Sequence, residues 1–530
     1  MAVISDVVVA PEANDGQSRP TVSGCSRSVR AHGRLSDSRF LAWGLLGLLL
    51  VLFVVQAWPR VTAPFADTHD GENAAVWGLS SRAIRQDGFL ASRGGARLAG
   101  GSGLYAHHPP LIASETAAVE AVAGEHPATT RAPAWLGSLA SVLLMFGLLR
   151  RYGFARVPAG VGVVIGFGSP MFFLYGSMLD TLQIGLPFAL GLLLARAPPT
   201  GPQRAVAGWL IGTLAALTVL ASWEGALLVG LLSATDVIQR WRREHRWRLS
   251  QTGVGFGVGL ALIAAWLWWA AGSLGPIVDQ LLNRSGHGQH ALGWSAFFEF
   301  QGLYLGALLS PVVIVVAIPA VISALREPRI RTLMAVTLTT TVAYAVLLRD
   351  GATNHDYWNY WLVVPLTLAA AMLCERAIVW ATAGGRSIKP VLGVIVGIAL
   401  MSLVTAFPTP GIPALEQYNS GMQAGRLVSH GHGFGSLYLV GHFQTNTDWL
   451  RYQGITPRLL TNGRQLAQIA ANDPRAEVLV KCARREPWFA PICRRPGPPY
   501  ILNHAHDVQR RLGQPTQSAF RQVTEAGPAR

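Results

Sequence analysis

The stretch FLAWGLLGLLLVLFVVQAWPRVTAPFADTHDGENAAVWGLSSRAIRQDG, residues 40–88, decides the reading of this chain. Its first part, Phe40 to Trp58, carries no charge and is close to the ~20 apolar residues that cross a bilayer's hydrocarbon core. Its second part crowds Asp67, His69, Asp70 and Glu72 into the string DTHDGEN. A lipid-soluble segment therefore delivers four polar, potentially ligating side chains to a membrane face.

Outward from this stretch the same alternation repeats. Further apolar runs lie near Ala134–Leu149, Val157–Tyr175, Leu179–Ala195, Ala205–Ala221 and Gly225–Val237. Others follow near Gly253–Gly272, Leu303–Ala324, Thr332–Leu347, Trp358–Leu373 and Pro390–Phe407. The expectation is a polytopic α-helical membrane protein with about 11 transmembrane helices. Composition agrees: of 530 residues 51% are hydrophobic and only 13% charged, against about a quarter charged in soluble chains. The net charge of +15 taken alone suggests a nucleic-acid partner, but its placement does not. Arg150, Arg151 and Arg156, the run RWRREHRWR at 240–248, Arg326 to Arg331 and Arg376 to Lys389 all fall on one side when the spans are threaded. That is the positive-inside bias of cytoplasmic loops, so no nucleic-acid partner is expected. The amino terminus is expected in the cytoplasm, and an odd span count sends the carboxyl terminus outside.

Three regions follow. Residues 1–39 read as a disordered cytoplasmic leader, with Phe40–Trp58 a retained signal-anchor. Residues 40–407 form the membrane module, with residues 59–133 as its first outer loop, and residues 408–530 an exported tail. The loop contains GENAAVWGLSSRAIRQDG, whose Ala75, Leu79, Ala83 and Ile84 recur at helical spacing, as expected for a helix along the membrane surface. The tail mixes the short apolar runs LYLV and EVLV with the helical pattern GRQLAQIAA, which predicts a small α/β domain with Asn462 capping a helix. Cys482 and Cys493 fall in this tail, where a disulfide persists if it is exported; Cys25 and Cys374 face reducing surroundings. No CxxC, HExxH, Walker or GxSxG motif occurs.

The functional signal is convergence. Asp67, His69, Asp70 and Glu72 open the first outer loop, and His107 and His108 follow in YAHHPPL. Asp180 lies in GSMLDTL, Glu224 in ASWEGA, and Arg349, Asp350, His355 and Asp356 in LRDGATNHDYWNYW. Five strings in four outer connections thus place ionisable groups at one depth, which is costly unless used. Each has an ordinary reading as well. Asp70, Glu72 and Asp180 suit helix starts, Glu224 with Trp223 suits interface anchoring, and YWNYW suits an aromatic belt. A carboxylate here can act as general base toward an acceptor. Arg and His can meet a phosphate, as can a divalent cation held by Asp, Glu and His. Because no ATP is available outside, the donor must arrive activated, as a lipid-phosphate sugar does.

From Phe40 to Phe407 the chain resembles the GT-C glycosyltransferases that use lipid-phosphate sugars, within them the protein O-mannosyltransferase and lipid A aminoarabinose-transferase branch. The resemblance is carried by DTHDGENAAVWGLSSRAIRQDG, YAHHPPL, LDT and NHDYWNYW. It implies an acid early in the first outer loop as catalytic base, which falls on Asp70, with Asp67 and Glu72 beside it. It places His107 and His108 near the donor phosphate, joined by Arg349 and His355; phosphate contact and metal ligation both remain open for the paired histidines. His69, Asp180, Glu224 and Asp356 are expected to shape the site or hold a divalent metal. The implied partners are a polyprenyl-phosphate-linked sugar, membrane lipids, and a protein, lipid or glycan acceptor at a bacterial cytoplasmic membrane. Two other classes compete: a transporter or flippase of lipid-linked saccharide, and a non-catalytic assembly or sensor protein. Transporters place charges near the bilayer midplane, whereas here they sit at span ends.

Overall fold

The structure is a computed structural model. It describes residues 36–99, 103–198, 206–245, 247–288, 291–309, 311–407, 421–428, 436–440, 447–473, 475–482, 493 and 500–512. The expected leader and Cys25 lie outside the described residues, apart from the last few positions before Phe40.

The apolar runs are helical, but not each is one helix or a full span. Arg39–Val61, Pro127–Arg151, Gln251–Ala271, Asp356–Ala383 and Ile388–Ala406 are long and apolar enough to cross a membrane. The bent pair Trp294–Leu308 and Pro311–Arg326 together makes up to one more. Arg156–Phe167, Thr181–Arg196, Gly208–Ala221 and Arg331–Leu347 are apolar but shorter. At 1.5 Å per residue they reach about 18–26 Å, under the ~30 Å of hydrocarbon. The expected eleven spans are thus eleven apolar stretches, of which five or six meet the length of a crossing among the described residues. Local chemistry explains the shortfall. The expected span Val157–Tyr175 stops at Phe167 and restarts at Pro170, a proline at a first helical position, where its missing N–H costs no intrahelical bond. Pro311 does the same at the start of the second helix of the bent pair.

Packing between helices relies on small residues, as expected where no water drives association. Gly162 and Gly166 face the Val363–Ala383 helix so closely that a Cβ on Gly166 would lie 2.0 Å from Thr367 Oγ1 and 2.9 Å from the Val363 carbonyl oxygen. A Cβ on Gly162 would meet Ala371 at 2.6 Å. Around this contact sits one continuous apolar core that includes Phe53, Phe172, Phe173 and Tyr360.

The tail folds around a four-stranded sheet, β1 (Leu437–Val440), β2 (Arg458–Leu459), β3 (Glu477–Lys481) and β4 (Tyr500–His504), in the order β2-β1-β3-β4. β1 runs parallel to both neighbours, and β3 pairs antiparallel with β4, setting Lys481 opposite Tyr500. Asn462 caps the Gly463–Asn472 helix by accepting from the Gln465 N–H at 3.0 Å. Cys482 and Cys493 are joined, with their Cα atoms 5.4 Å apart. A second apolar core runs from Phe65, Ala74 and Trp77 of the first long loop to Leu439, Trp449 and Tyr500 of the tail. The His69–Asp87 helix is consequently buried on most sides rather than along one stripe, because the tail covers the face that the sequence pattern leaves to solvent.

Candidate active site

Asp67 and Thr68 end an extended segment, and the Thr68 hydroxyl caps the helix by accepting from the Gly71 N–H at 2.8 Å. The cap fixes where the chain turns helical. Asp70 and Glu72 then fall in the first turn, where the helix dipole favours negative charge.

Asp70 and Asp67 each meet a cation. Asp70 is ion-paired with Arg131, Nη2 to Oδ2 at 2.8 Å and Nε donating to Oδ1 at 3.3 Å. Arg131 is fully buried; it also donates to the carbonyls of Val61 and Ala63 and stacks on Phe65 at 4.6 Å. Asp67 accepts from Lys481 Nζ and from the Tyr500 hydroxyl, both at 2.6 Å on Oδ2. Glu72 is buried beside Asp67, and desolvation together with the Asp67 charge holds its carboxyl well above the usual carboxylate range. The three acids are therefore not equivalent: Asp67 and Asp70 meet cations at short range, and burial beside Asp67 favours the protonated form of Glu72.

His69 turns to the other side, its ring 5.5 Å from His355 and 5.7 Å from Tyr357. Burial pushes its pKa down. One turn on, Asn73 donates to Asp180 at 2.8 Å and to the Tyr357 hydroxyl at 3.4 Å. Asp180 caps the Thr181–Arg196 helix through the Leu182 N–H, and burial raises its carboxyl to about 6. Asp356 accepts from Tyr175 at 2.6 Å. Glu224 opens the Trp223–Glu244 helix fully buried, and among the described residues neither carboxylate oxygen meets a hydrogen-bond donor.

His107 and His108 stand with ring centroids 4.8 Å apart, flanked by Tyr105 and Trp77. Trp223 donates its indole N–H to the His107 carbonyl at 3.3 Å. Pro110 then caps the Leu111–Ala123 helix, so the double proline fixes how the histidines enter. Burial, reinforced by Arg284, lowers His107 to about 4, and burial, His107 and Arg284 lower His108 well below the ordinary value. Burial thus favours the neutral form of both imidazoles. They can donate hydrogen bonds to a phosphate but do not supply the positive charge for it.

Arg284 brings a positive charge to this group. It ends the Gly275–Arg284 helix, contacts His355 Nε2, and lies over the Trp358 ring at 5.5 Å. Its field reaches His107, His108, His355 and Asp180. Arg349, which the sequence suggests for this task, is engaged elsewhere. It donates to the Gly286 carbonyl at 3.2 Å, stacks on Trp294 at 4.8 Å and lies 3.5 Å from Asp350. Arg284 carried no motif; its signal is a single arginine at the end of an amphipathic helix in an outer connection. Arg131, Lys481 and Tyr500 likewise lie in no motif.

Among the described residues no group of three or more His, Cys, Asp or Glu side chains is arranged to hold a metal ion. His69, Asp180, Glu224 and Asp356 are brought to one region without forming a chelate, and no step below is routed through a metal.

No protein-family model and no curated protein matches the sequence. Solved structures do. ArnT from Cupriavidus metallidurans in the apo state is similar with a TM-score of 0.52 at 14% identity, over 82% of this chain and 92% of that one. The same protein bound to undecaprenyl phosphate gives a TM-score of 0.51 at 13% identity over the same shares. With its apolar helices this likeness makes the chain a multi-pass membrane protein. Its fold is that of the GT-C membrane glycosyltransferases.

Proposed function

We propose that this chain transfers a sugar from a polyprenyl-phosphate carrier to an acceptor on the outer face of a bacterial cytoplasmic membrane. The amino terminus then lies in the cytoplasm and the tail outside. The observation that carries this reading is the meeting of two chemistries at one helix start. The helix that carries the carboxylates Asp70 and Glu72 just after Asp67 also reaches a phosphate-suited group, His107, His108 and Arg284: its His69 feels the charges of both Asp67 and Arg284, and its Trp77 meets the His108 ring. The solved neighbour that binds undecaprenyl phosphate supports a polyprenyl-linked donor.

In this reading Asp70 takes the proton from the acceptor hydroxyl or amine as the acceptor attacks the anomeric carbon. The bond from that carbon to the phosphate oxygen breaks, and the electron pair leaves with the lipid phosphate. Arg284 meets the phosphate's charge with paired donors, and the neutral His107 and His108 donate hydrogen bonds to its oxygens. Asp180, Glu224, His355 and Asp356 line the sugar's surroundings.

The test is transfer of radiolabelled sugar from synthetic polyprenyl-phosphate donors by the purified protein, with and without chelator. Turnover that falls in Arg284→Gln through a higher donor KM supports this reading. No turnover from any donor, together with no donor binding, contradicts it. Loss on chelation assigns the charge on the phosphate to a metal instead of Arg284.

A further inference from the structure

The tail touches the reaction loop at several points that are independent of one another. Lys481 and Tyr500, paired across β3 and β4, both bond the same oxygen of Asp67. The helical segment at 421–428 lies directly on the loop backbone. A Cβ on Gly421 would stand 2.1 Å from the Asp67 carbonyl oxygen, and one on Gly425 2.7 Å from Ala66 Cβ. Gln453 donates to the Phe65 carbonyl at 3.1 Å, and Tyr452 packs on the Phe65 ring at 4.4 Å. Residues 65–68 are therefore gripped from two sides by parts of the chain more than 350 residues away in sequence. Asp67 immediately precedes the capping Thr68, so its position sets the first turn of the His69–Asp87 helix. Cys482 follows Lys481 directly and is tied to Cys493, which anchors the end of β3 that presents the lysine.

We propose that Lys481 and Tyr500 are positioning residues for transfer: by holding Asp67 they fix the helix start that carries Asp70 and Glu72. This rests on the reading of that helix start as the transfer site. The tail is then a working part of the enzyme, and the Cys482–Cys493 bridge guards the geometry of its lysine.

The test uses the full-length protein and two readouts on Lys481→Met, Lys481→Arg, Tyr500→Phe and the double variant Asp67→Asn with Lys481→Met. Hydrogen exchange of residues 65–72 needs no turnover; it is expected to quicken by about tenfold in Lys481→Met while that of the Ile388–Ala406 helix is unchanged. In transfer assays kcat is expected to fall on the order of 10- to 100-fold with donor KM preserved. Lys481→Arg should restore most of it, and the double variant should be no worse than Asp67→Asn alone. Unchanged exchange and unchanged kcat in both Lys481→Met and Tyr500→Phe overturn the proposal. Faster exchange with unchanged kcat also overturns it, since the contact is then structural only. A wild type that shows the protected loop but transfers no sugar overturns the underlying transferase reading and leaves the clamp itself measured. Should Lys481→Met fail to fold, Tyr500→Phe, which removes a single hydroxyl, carries both readouts.

Discussion

Arg131 shows how much one side chain can decide here. It is fully buried, and its partner Asp70 is 11% exposed. Removing one member of such a pair leaves a charge stranded away from water. Arg131→Met is expected to destabilise the protein by about 3–5 kcal/mol; adding Asp70→Asn should recover part of the loss, read as thermal unfolding in detergent. The histidine pair makes a prediction of opposite chemistry. His107 titrates near 4 in the folded chain but near 6.5 when unfolded. The unfolded chain thus takes up a proton through this window that the folded one refuses, so His107 lowers stability as pH falls from about 6.5 toward 4. Glu72 and Asp180, with raised values, work in the opposite sense. The contrast between wild type and His107→Asn isolates the histidine: the melting temperature should drop less on acidification in the variant. An equal drop in both contradicts the account. At this scale DTHDGEN and YAHHPPL were legible because each is a contiguous string of chemistry-bearing residues. Their partners were not. Arg131 lies 61 residues from Asp70, and Lys481 and Tyr500 lie 414 and 433 residues from Asp67. No local pattern encodes a pairing over such distances.

At the level of elements, hydropathy located the long apolar runs as helical, because solvation by lipid selects composition over the whole run. It did not separate full crossings from short segments, which Pro170 and Pro311 and the caps at Asp180 and Ser222 determine. The helix of GENAAVWGLSSRAIRQDG was legible by its spacing. Its burial on the remaining sides was not, since the covering residues Trp449 and Tyr452 come from the tail. The glycine contacts give a sharp test. Gly166→Val would drive side-chain carbon into Thr367 and the Val363 carbonyl, at a cost of about 1–3 kcal/mol or more. Gly397→Ala, with nothing within 4 Å of its Cβ position, should be neutral. Thermal unfolding and monodispersity in detergent distinguish them, and equal behaviour of the two variants contradicts the packing described.

Taken whole, the molecule is a helical bundle whose end carries a site closed by its own tail. Positive charge along one set of connections predicts that this set faces the cytoplasm. Single cysteines placed at Arg243 and at Asn462, in a chain lacking Cys25 and Cys374 but keeping the Cys482–Cys493 bridge, should label from opposite sides of sealed vesicles. Labelling from the same side contradicts the proposed orientation. Fold class was legible at this scale because it depends on summed composition; the union of tail and loop depends on individual long-range contacts and emerges only in three dimensions.

The central claim is that the helix start at Asp70 performs lipid-phosphate-dependent sugar transfer. The most direct measurement compares single-turnover transfer by wild type and Asp70→Asn with a saturating polyprenyl-phosphate sugar. The account predicts label reaching an acceptor in the wild type and a loss on the order of 100-fold or more in the variant, with donor binding retained. Equal transfer by both proteins would contradict it.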